Sequence, residues 1–301
     1  MREKLEEAIK EAVVFECQLP HEESNTEKSC LTARNDDCYN NSDKDKIAKI
    51  IYNGIVEYAT NEYKIDYENL FKEQRKAILT RIRYDKAAAE STKLKYGFYG
   101  EVLFDLILRI FYKTFVLVSR GYFYSPLNGN EVAGFDSFHL IKTEQNIELW
   151  FGEAKFHKDY KEAIAQVIEK LCISLSDDYL DKNLKAIIVQ NENWSTDDSK
   201  LRAILDAWNK NPDIKLSEEI KKFNFSLVYP VFIAYEKKDK DGYYESIKKC
   251  VSYIEEECKK KGIEIPATFK YRIFFIFLPL SDVKSIKESV IKWIETNEPL
   301  I

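Results

Sequence analysis

The chain has 301 residues, of which 45% are hydrophobic and 32% are charged, with 9 glycines and 7 prolines. This composition is typical of a globular protein with a substantial core, and it excludes collagen-like, low-complexity and wholly disordered chains. The longest apolar run, residues 273–280, is far shorter than the roughly 20 residues of a membrane-spanning helix. Because the N-terminus also lacks a signal-peptide core, we expect a cytoplasmic protein without a membrane segment.

The net charge of −5 is unevenly distributed along the chain. Residues 1–45 contain 6 Lys or Arg and 12 Asp or Glu, whereas residues 72–95 contain 8 Lys or Arg and 3 Asp or Glu. The acidic segment is interpreted either as a flexible arm that covers a basic surface or as a solvated tail. The basic segment is a candidate nucleic-acid-binding surface.

Between residues 47 and 115 the chain is predicted to be helical, after a polar stretch. Residues 20–45 contain almost no large apolar side chains and are predicted to form a loop. Apolar residues at helical spacing then predict helices at 47–58, 68–90 and 98–115. In the second of these helices, which is basic, Leu79 and Ile82 are expected to face inward. The third is so rich in apolar residues that it is expected to be buried on most sides.

The periodicity changes after residue 115, where alternating and β-branched runs begin. Predicted strands cover residues 116–124, 133–141, 147–156, 185–190, 225–235 and 269–278. Predicted helices cover residues 159–180, 197–209, 243–261 and 282–296. This order predicts an α/β fold with a mixed sheet flanked by helices and an N-terminal helical extension. We expect an N-terminal part, residues 1–95, followed by a core, residues 96–301.

The chemistry is predicted to lie on the hairpin formed by the second and third of these strands. If its turn is residues 143–146, Asp136 lies directly across from Glu153, with Cβ atoms about 4.5–5.5 Å apart. Strand alternation puts Lys155 on the same face. Two carboxylates this close repel each other unless a cation neutralises them, and hard oxygen ligands suit Mg²⁺ or Mn²⁺. Lys155 could orient or deprotonate a water molecule, or stabilise charge on a phosphate.

Each residue of this set also has an ordinary structural interpretation. Glu153 and Lys155 form a pair that is common at exposed strand ends, and Asp136 could cap a turn. Glu101 could interact favourably with the dipole near the start of its helix. That helix is otherwise strongly apolar, however, and a buried acidic side chain needs a partner, which a metal ion would provide. Weaker candidates for the site are His139, His157 and Gln166.

The basic helix carries the predicted DNA-binding residues. Each contact with a phosphate would steepen the salt dependence of binding by close to one unit of log–log slope. A solvated charged helix that binds nothing is the alternative interpretation. The predicted residues are Arg75, Lys76, Arg81, Arg83 and Lys86.

Three short motifs connect the chain with a known family. They are GFYGE at residues 97–101, GFDSFH at residues 134–139 and GEAKF at residues 152–156. Together they resemble the PD-(D/E)xK, or restriction-endonuclease-like, superfamily, although Phe135 stands where that superfamily has Pro. More narrowly, the strings and their spacing resemble the HamA family, the nuclease subunit of the Hachiman antiphage defence system.

The resemblance implies a restriction-endonuclease-like fold and a metal-dependent DNase. It implies that Glu101, Asp136 and Glu153 bind the metal together with the backbone carbonyl of Ala154, and that Lys155 activates water. It also implies that a superfamily 2 helicase partner, HamB, holds the nuclease and releases it when infection or abnormal DNA is sensed. A non-catalytic nucleic-acid-binding or assembly subunit, and a DNA repair nuclease unrelated to defence, remain alternatives.

Overall fold

The structure is a computed structural model that describes residues 1–20, 35–41, 43–125, 127, 130–131, 134–142, 146–194, 199–238, 240–263 and 269–301. A seven-stranded mixed sheet forms the middle layer of these residues, and helices cover both of its faces. The prediction of a mixed sheet flanked by helices, with a helical N-terminal part, is confirmed.

The helices of the described residues are α1 (Glu3–Ala12), α2 (Lys44–Ala59), α3 (Leu70–Thr80), α4 (Glu90–Lys93), α5 (Phe98–Phe111), α6 (Tyr160–Ser174), α7 (Asp177–Val189), α8 (Ser199–Asn209), α9 (Leu216–Lys222), α10 (Tyr243–Lys261) and α11 (Val283–Thr296). The strands are β1 (Val13–Pro20), β2 (Asn35–Asn41), β3 (Phe115–Val116), β4 (Tyr124–Ser125), β5 (Asn130–Glu131), β6 (Ser137–Lys142), β7 (Ile147–His157), β8 (Ser226–Glu236) and β9 (Tyr271–Leu280). None of these helices is long and apolar enough to cross a membrane.

The strand order of the large sheet is β1-β2-β9-β8-β7-β6-β3. Strands β2, β9, β8 and β7 run parallel, whereas β1, β6 and β3 pair antiparallel with their neighbours. The central strand β8 is apolar and buried along nearly its whole length, as expected for a parallel strand covered on both faces. The carboxyl ends of β7, β8 and β9 therefore share one edge of the sheet.

Alternating side chains of β7 enter the two helical layers. Trp150 and Phe156 pack in the core formed with α1, α2, α5 and α11. Leu149 and Phe151 pack in the core formed with α6, α7, α8 and α10. Because side chains alternate along a strand, Lys155 follows the second series and reaches the α6 side at the carboxyl end of β7.

The N-terminal segment supplies two strands of the sheet. The prediction of a loop over residues 20–45 is wrong for residues 35–41, which form β2, while residues 21–34 and 42 lie outside the described residues. The Asp36 carboxylate accepts a hydrogen bond of 2.9 Å from the Phe275 backbone and so ties β2 to β9. The interpretation of residues 1–45 as one flexible arm is also wrong, because their described parts form α1, β1 and β2. The boundary at residue 95 stays a prediction.

The long basic helix predicted at residues 68–90 is wrong in its length. Helix α3 ends at Thr80, and the short α4 begins only at Glu90. Between them the Asp85 side chain accepts a hydrogen bond of 2.8 Å from the Ala87 backbone, a local turn that competes with a helix. Leu79, expected to face inward, is 67% exposed.

The strand predicted at residues 116–124 is also shorter than expected. Only Phe115–Val116 pairs with β6, and residues Arg120–Phe123 form a 3₁₀ helix. A Cβ atom at Gly121 would lie 2.4 Å from the Ala59 carbonyl oxygen. The chain thus packs closely against the end of α2 at Gly121, where a side chain would not fit. The strand predicted at residues 133–141 corresponds to β6, which begins later than predicted, at Ser137.

The region after the hairpin contains two helices where one helix and a strand were predicted. Ser176 caps the start of α7, so the helix predicted at residues 159–180 is divided. The strand predicted at residues 185–190 is wrong, because Leu180, Leu184 and Ile187 are buried at helical spacing on one face of α7. Six other predicted elements agree with the structure within two residues: β7, α8, β8, α10, β9 and α11.

Candidate active site

The β6–β7 hairpin has the predicted register in its described part. Ser137 pairs with Gly152 and Lys142 pairs with Ile147, while the turn residues 143–145 lie outside the described residues. Asp136 precedes Ser137 and its backbone N–H donates a hydrogen bond of 2.9 Å to the Gly152 carbonyl. Asp136 therefore lies next to Glu153 at the open end of the hairpin.

The side chain of Asp136 is held by the facing strand. Its Oδ2 atom accepts a hydrogen bond of 2.8 Å from the backbone N–H of Ala154. Burial raises the pKa of this carboxyl well above its usual value, and the negative charges of Glu153 and Glu101 raise it further. The three acidic groups therefore act on one another electrostatically, and the cluster favours a compensating cation.

Lys155 supplies part of that compensation. Its ammonium donates a hydrogen bond to Glu153 Oε1, and both side chains are only 12% exposed. Burial opposes the charge on Lys155, but the carboxylates of Glu153, Asp136 and Glu101 outweigh burial and raise the pKa of this lysine. Lys155 is thus held as an ammonium ion beside the acidic cluster.

Glu101 reaches the same region from α5. Helix α5 meets the end of β7 at Gly100, where an added Cβ atom would lie 2.9 Å from the Cβ atom of Phe156. This contact brings the first turn of α5 against the strand that carries the other site residues. The Tyr58 hydroxyl, on α2, donates a hydrogen bond to Glu101 Oε2. Glu101 therefore has a protein partner on the helical side of the site.

The predicted site residues line one cavity of about 1030 Å³. Glu101, Asp136, Glu153, Ala154 and Lys155 all contribute to its wall. Besides Lys155 the cavity has a basic rim, which suits a polyanionic substrate. Its basic residues are Arg83, Lys95, Arg120, Lys158, Lys170, Lys284 and Lys287.

The predicted DNA-binding residues are divided by the structure. Arg83 lies after the end of α3 and lines the cavity, whereas Arg75, Lys76, Arg81 and Lys86 are not among the residues that line it. The Arg81 guanidinium is 4.1 Å from the ring centroid of Tyr122. The Lys76 ammonium is 3.7 Å from a Glu73 carboxylate oxygen. Arg83 is therefore the member of this set that the structure brings to the candidate site.

The histidines occupy different environments. His139 is buried and contacts Asp105 Oδ1 at 2.8 Å and Thr114 Oγ1 at 2.7 Å, away from the cavity. Burial lowers the pKa of His139, although Asp105 acts in the opposite direction. His157 lines the cavity, where its Nδ1 atom is 3.7 Å from a Glu162 carboxylate oxygen. Gln166, on α6, is not among the described residues that line it.

Sequence reasoning missed many of the residues that line the cavity, among them three from distant elements. Arg120 comes from the 3₁₀ helix after β3, Tyr179 from α7 and Lys287 from α11. The Tyr179 ring packs edge-on against Phe135, 5.2 Å between centroids, beside Asp136. No local motif marks these residues, since they reach the site only through the packing of distant elements.

The donor set fits a hard divalent cation in its chemistry. Three carboxylates and the Ala154 carbonyl are oxygen donors of the kind that Mg²⁺ and Mn²⁺ prefer. The Ala154 N–H faces Asp136, so its carbonyl lies on the same edge of β7, beyond the end of β6. Among the described residues, however, no group of three or more Asp, Glu, His or Cys side chains is arranged to hold a metal. Glu153 is engaged by Lys155 and Glu101 by Tyr58.

One of the comparisons with known proteins identifies a family. The family model described as HamA matches residues 7–294 of the chain. No curated protein and no solved structure matches the chain. The match covers the N-terminal strands, the hairpin and all the elements that surround the cavity.

Proposed function

The chain belongs to the HamA family, a component of the Hachiman antiphage defence system, and from this premise we propose that it is a metal-dependent DNA nuclease. One observation carries the proposal. Asp136, Glu153 and Lys155 meet at the open end of the β6–β7 hairpin, in a cavity with a basic rim and with Glu101 in its wall. The acidic centre favours a bound cation, and the surrounding basic residues favour the phosphates of a nucleic acid that this cation would contact.

The carboxylates of Glu101, Asp136 and Glu153 and the carbonyl of Ala154 would hold the metal, Mg²⁺ or Mn²⁺. The bound ion would supply Lewis-acid stabilisation of the phosphate and a more acidic water molecule. Asp136 is already fixed by the Ala154 N–H. Lys155 occupies Oε1 of Glu153, and the second carboxylate oxygen of Glu153 would be the metal ligand.

Lys155 is proposed to act as a cation rather than as a base. The neighbouring carboxylates raise the pKa of its ammonium, so it carries a proton at neutral pH. From its position beside Glu153 it can donate hydrogen bonds to a water molecule and to a phosphate oxygen. Both contacts become stronger as negative charge develops on the phosphate during hydrolysis.

Control by a partner is the second part of the proposal. A nuclease with an open basic cavity endangers the DNA of its own host. We therefore propose that a superfamily 2 helicase subunit, HamB-like, binds this chain and releases its activity when the helicase engages DNA and hydrolyses ATP. Co-expression of the two chains, followed by co-purification and cleavage assays with and without ATP, tests this control. Equal cleavage by the free and mixed chains contradicts it.

The nuclease proposal itself is tested with the purified chain on supercoiled and linear DNA, with Mg²⁺, Mn²⁺ or EDTA. We expect cleavage by the wild type only with metal, and at least a hundredfold loss in Glu153→Gln and Lys155→Ala. Glu148→Gln is the matched control. Glu148 lies on the same strand, at the end opposite the site, and its carboxylate accepts a hydrogen bond from the Trp150 indole N–H. Binding without cleavage by the wild type favours the non-catalytic alternative, and full activity of Glu153→Gln contradicts the site.

A further inference from the structure

Lys287 is a partly buried lysine in the wall of the cavity that the proposed hydrolysis does not use. It comes from α11, and its ammonium lies between two aromatic rings, 5.4 Å from the centroid of Tyr99 and 5.4 Å from that of Phe156. The ammonium donates one hydrogen bond, of 2.9 Å, to the carbonyl of Leu94. Two of its three N–H groups are left for other acceptors.

The charge of Lys287 has no acidic partner among the described residues. None of the ion pairs within 4 Å in this part of the chain includes it. Burial lowers its pKa to about 8, and no carboxylate contributes to the shift. The lysine is still largely charged at neutral pH. A charged group that is kept partly buried without a counter-ion disfavours the folded state, which is the usual sign of a functional position.

Lys287 and Lys155 lie on opposite sides of the end of β7. Phe156, which Lys287 contacts, and Lys155 are neighbours on β7, so their side chains point to opposite faces of the sheet. Lys287 and Lys155 therefore approach the cavity from the two sides of the strand end. The two lysines thus offer two separate positive charges, one on each side of the strand end.

We propose that Lys287 binds a DNA phosphate that flanks the phosphate held at Lys155, and so positions the strand across the end of β7. This inference rests on the proposed function, since it takes DNA as the substrate. It adds α11 to the substrate-binding surface. Lys284, one turn earlier on the same helix, lines the same cavity and extends the surface toward solvent.

The test is DNA binding in EDTA, where cleavage plays no part. Lys287→Gln keeps a donor for the Leu94 carbonyl but removes the charge, and we expect about tenfold weaker binding at low salt. The slope of log affinity against log salt should fall by about 0.7–0.9, which is the contribution of one neutralised phosphate. Lys287→Arg, which keeps the charge, should retain most of the wild-type affinity and most of the wild-type salt slope. Lys292→Gln is the control, because Lys292 is exposed on the same helix and lies outside the cavity lining.

Thermal melting separates this role from a structural one. Because the partly buried charge opposes folding, Lys287→Gln should melt at or above the wild-type temperature while it loses DNA affinity. If Lys287→Gln binds DNA with the affinity and the salt slope of the wild type, the inference is overturned. Weak binding with a lowered melting temperature that Lys287→Arg does not rescue also overturns it. If the wild type binds DNA but never cleaves it, and Lys287→Gln binds weakly, the inference stands and the nuclease proposal fails.

Discussion

Replacing Gly100 by alanine should separate the activity of this protein from its stability. The added Cβ atom would lie 2.9 Å from Phe156 Cβ and 3.5 Å from Phe156 N, whereas ordinary contacts begin at 3.4 Å. Helix α5 must therefore move away from β7 by about half an ångström. Glu101 is the next residue of α5 and would move with the helix, away from Asp136 and Glu153.

The expected magnitudes follow from two opposing terms. Overpacking costs about 1–3 kcal/mol, while alanine in place of glycine within a helix gains about 1 kcal/mol. The net loss of stability is then about 0–2 kcal/mol, a few degrees in melting temperature. A displacement of about 1 Å at a catalytic centre can cost about a hundredfold in rate. For half that displacement we expect at least a tenfold loss of metal-dependent cleavage.

The assay compares initial rates of plasmid cleavage with melting curves for wild type, Gly100→Ala and Gly242→Ala. Gly242, before α10, is the control because nothing lies within 4 Å of a Cβ atom added there. We expect Gly242→Ala to retain activity and to lose at most about 1 kcal/mol of stability, because Gly242 is the N-cap of α10. If Gly100→Ala cleaves DNA at the wild-type rate and melts at the wild-type temperature, the contact between α5 and β7 does not set the geometry of the site.

Two further predictions concern DNA binding and pH. Arg83→Glu should weaken DNA binding and lower the slope of log affinity against log salt by about one unit or more. Arg75, which is exposed on α3, is the control, and Arg75→Glu should change neither quantity. Equal effects of the two substitutions would mean that the whole basic segment, and not Arg83 in particular, binds DNA. His139 resists protonation because burial lowers its pKa, so the unfolded chain takes up the proton first and stability falls as pH drops below about 6.5. His139→Gln should remove up to about 1.3 kcal/mol of the loss between pH 7 and 5.5, measured by denaturant unfolding. An unchanged pH slope in that variant would contradict the assignment.

The hairpin could be predicted from sequence because its signals are local. Alternation along residues 147–156 and the length of the turn are enough to place Asp136 beside Glu153. Strand β2 could not be predicted, because its sequence, NDDCYNN, is polar. Asp36 and Asp37 can be buried there because groups distant in sequence donate hydrogen bonds to their carboxylates. Asp36 accepts from the Phe275 backbone N–H, and Asp37 accepts from the Gln18 amide and the Tyr112 hydroxyl.

The cavity wall could be predicted only in part, for a similar reason. Lys155 follows from the period of its own strand, whereas Lys287 lies more than a hundred residues further along the chain and reaches the cavity through the packing of α11. The short apolar run of α7 fits a strand as well as a helix, and only its burial pattern distinguishes the two.

The pairing of β2 with β9 also affects how the protein is made. The hydrogen bond between Asp36 and Phe275 joins residues 239 positions apart, so β1 and β2 find their place only when β9 has left the ribosome. Such long-range closure slows folding. Until then β8, which is buried along nearly its whole length in the folded protein, has one edge unpaired and is exposed to aggregation. A chain stopped before β9 and α11 would also lack one wall of the basic cavity. Interrupted synthesis should therefore yield insoluble fragments that lack part of the candidate site.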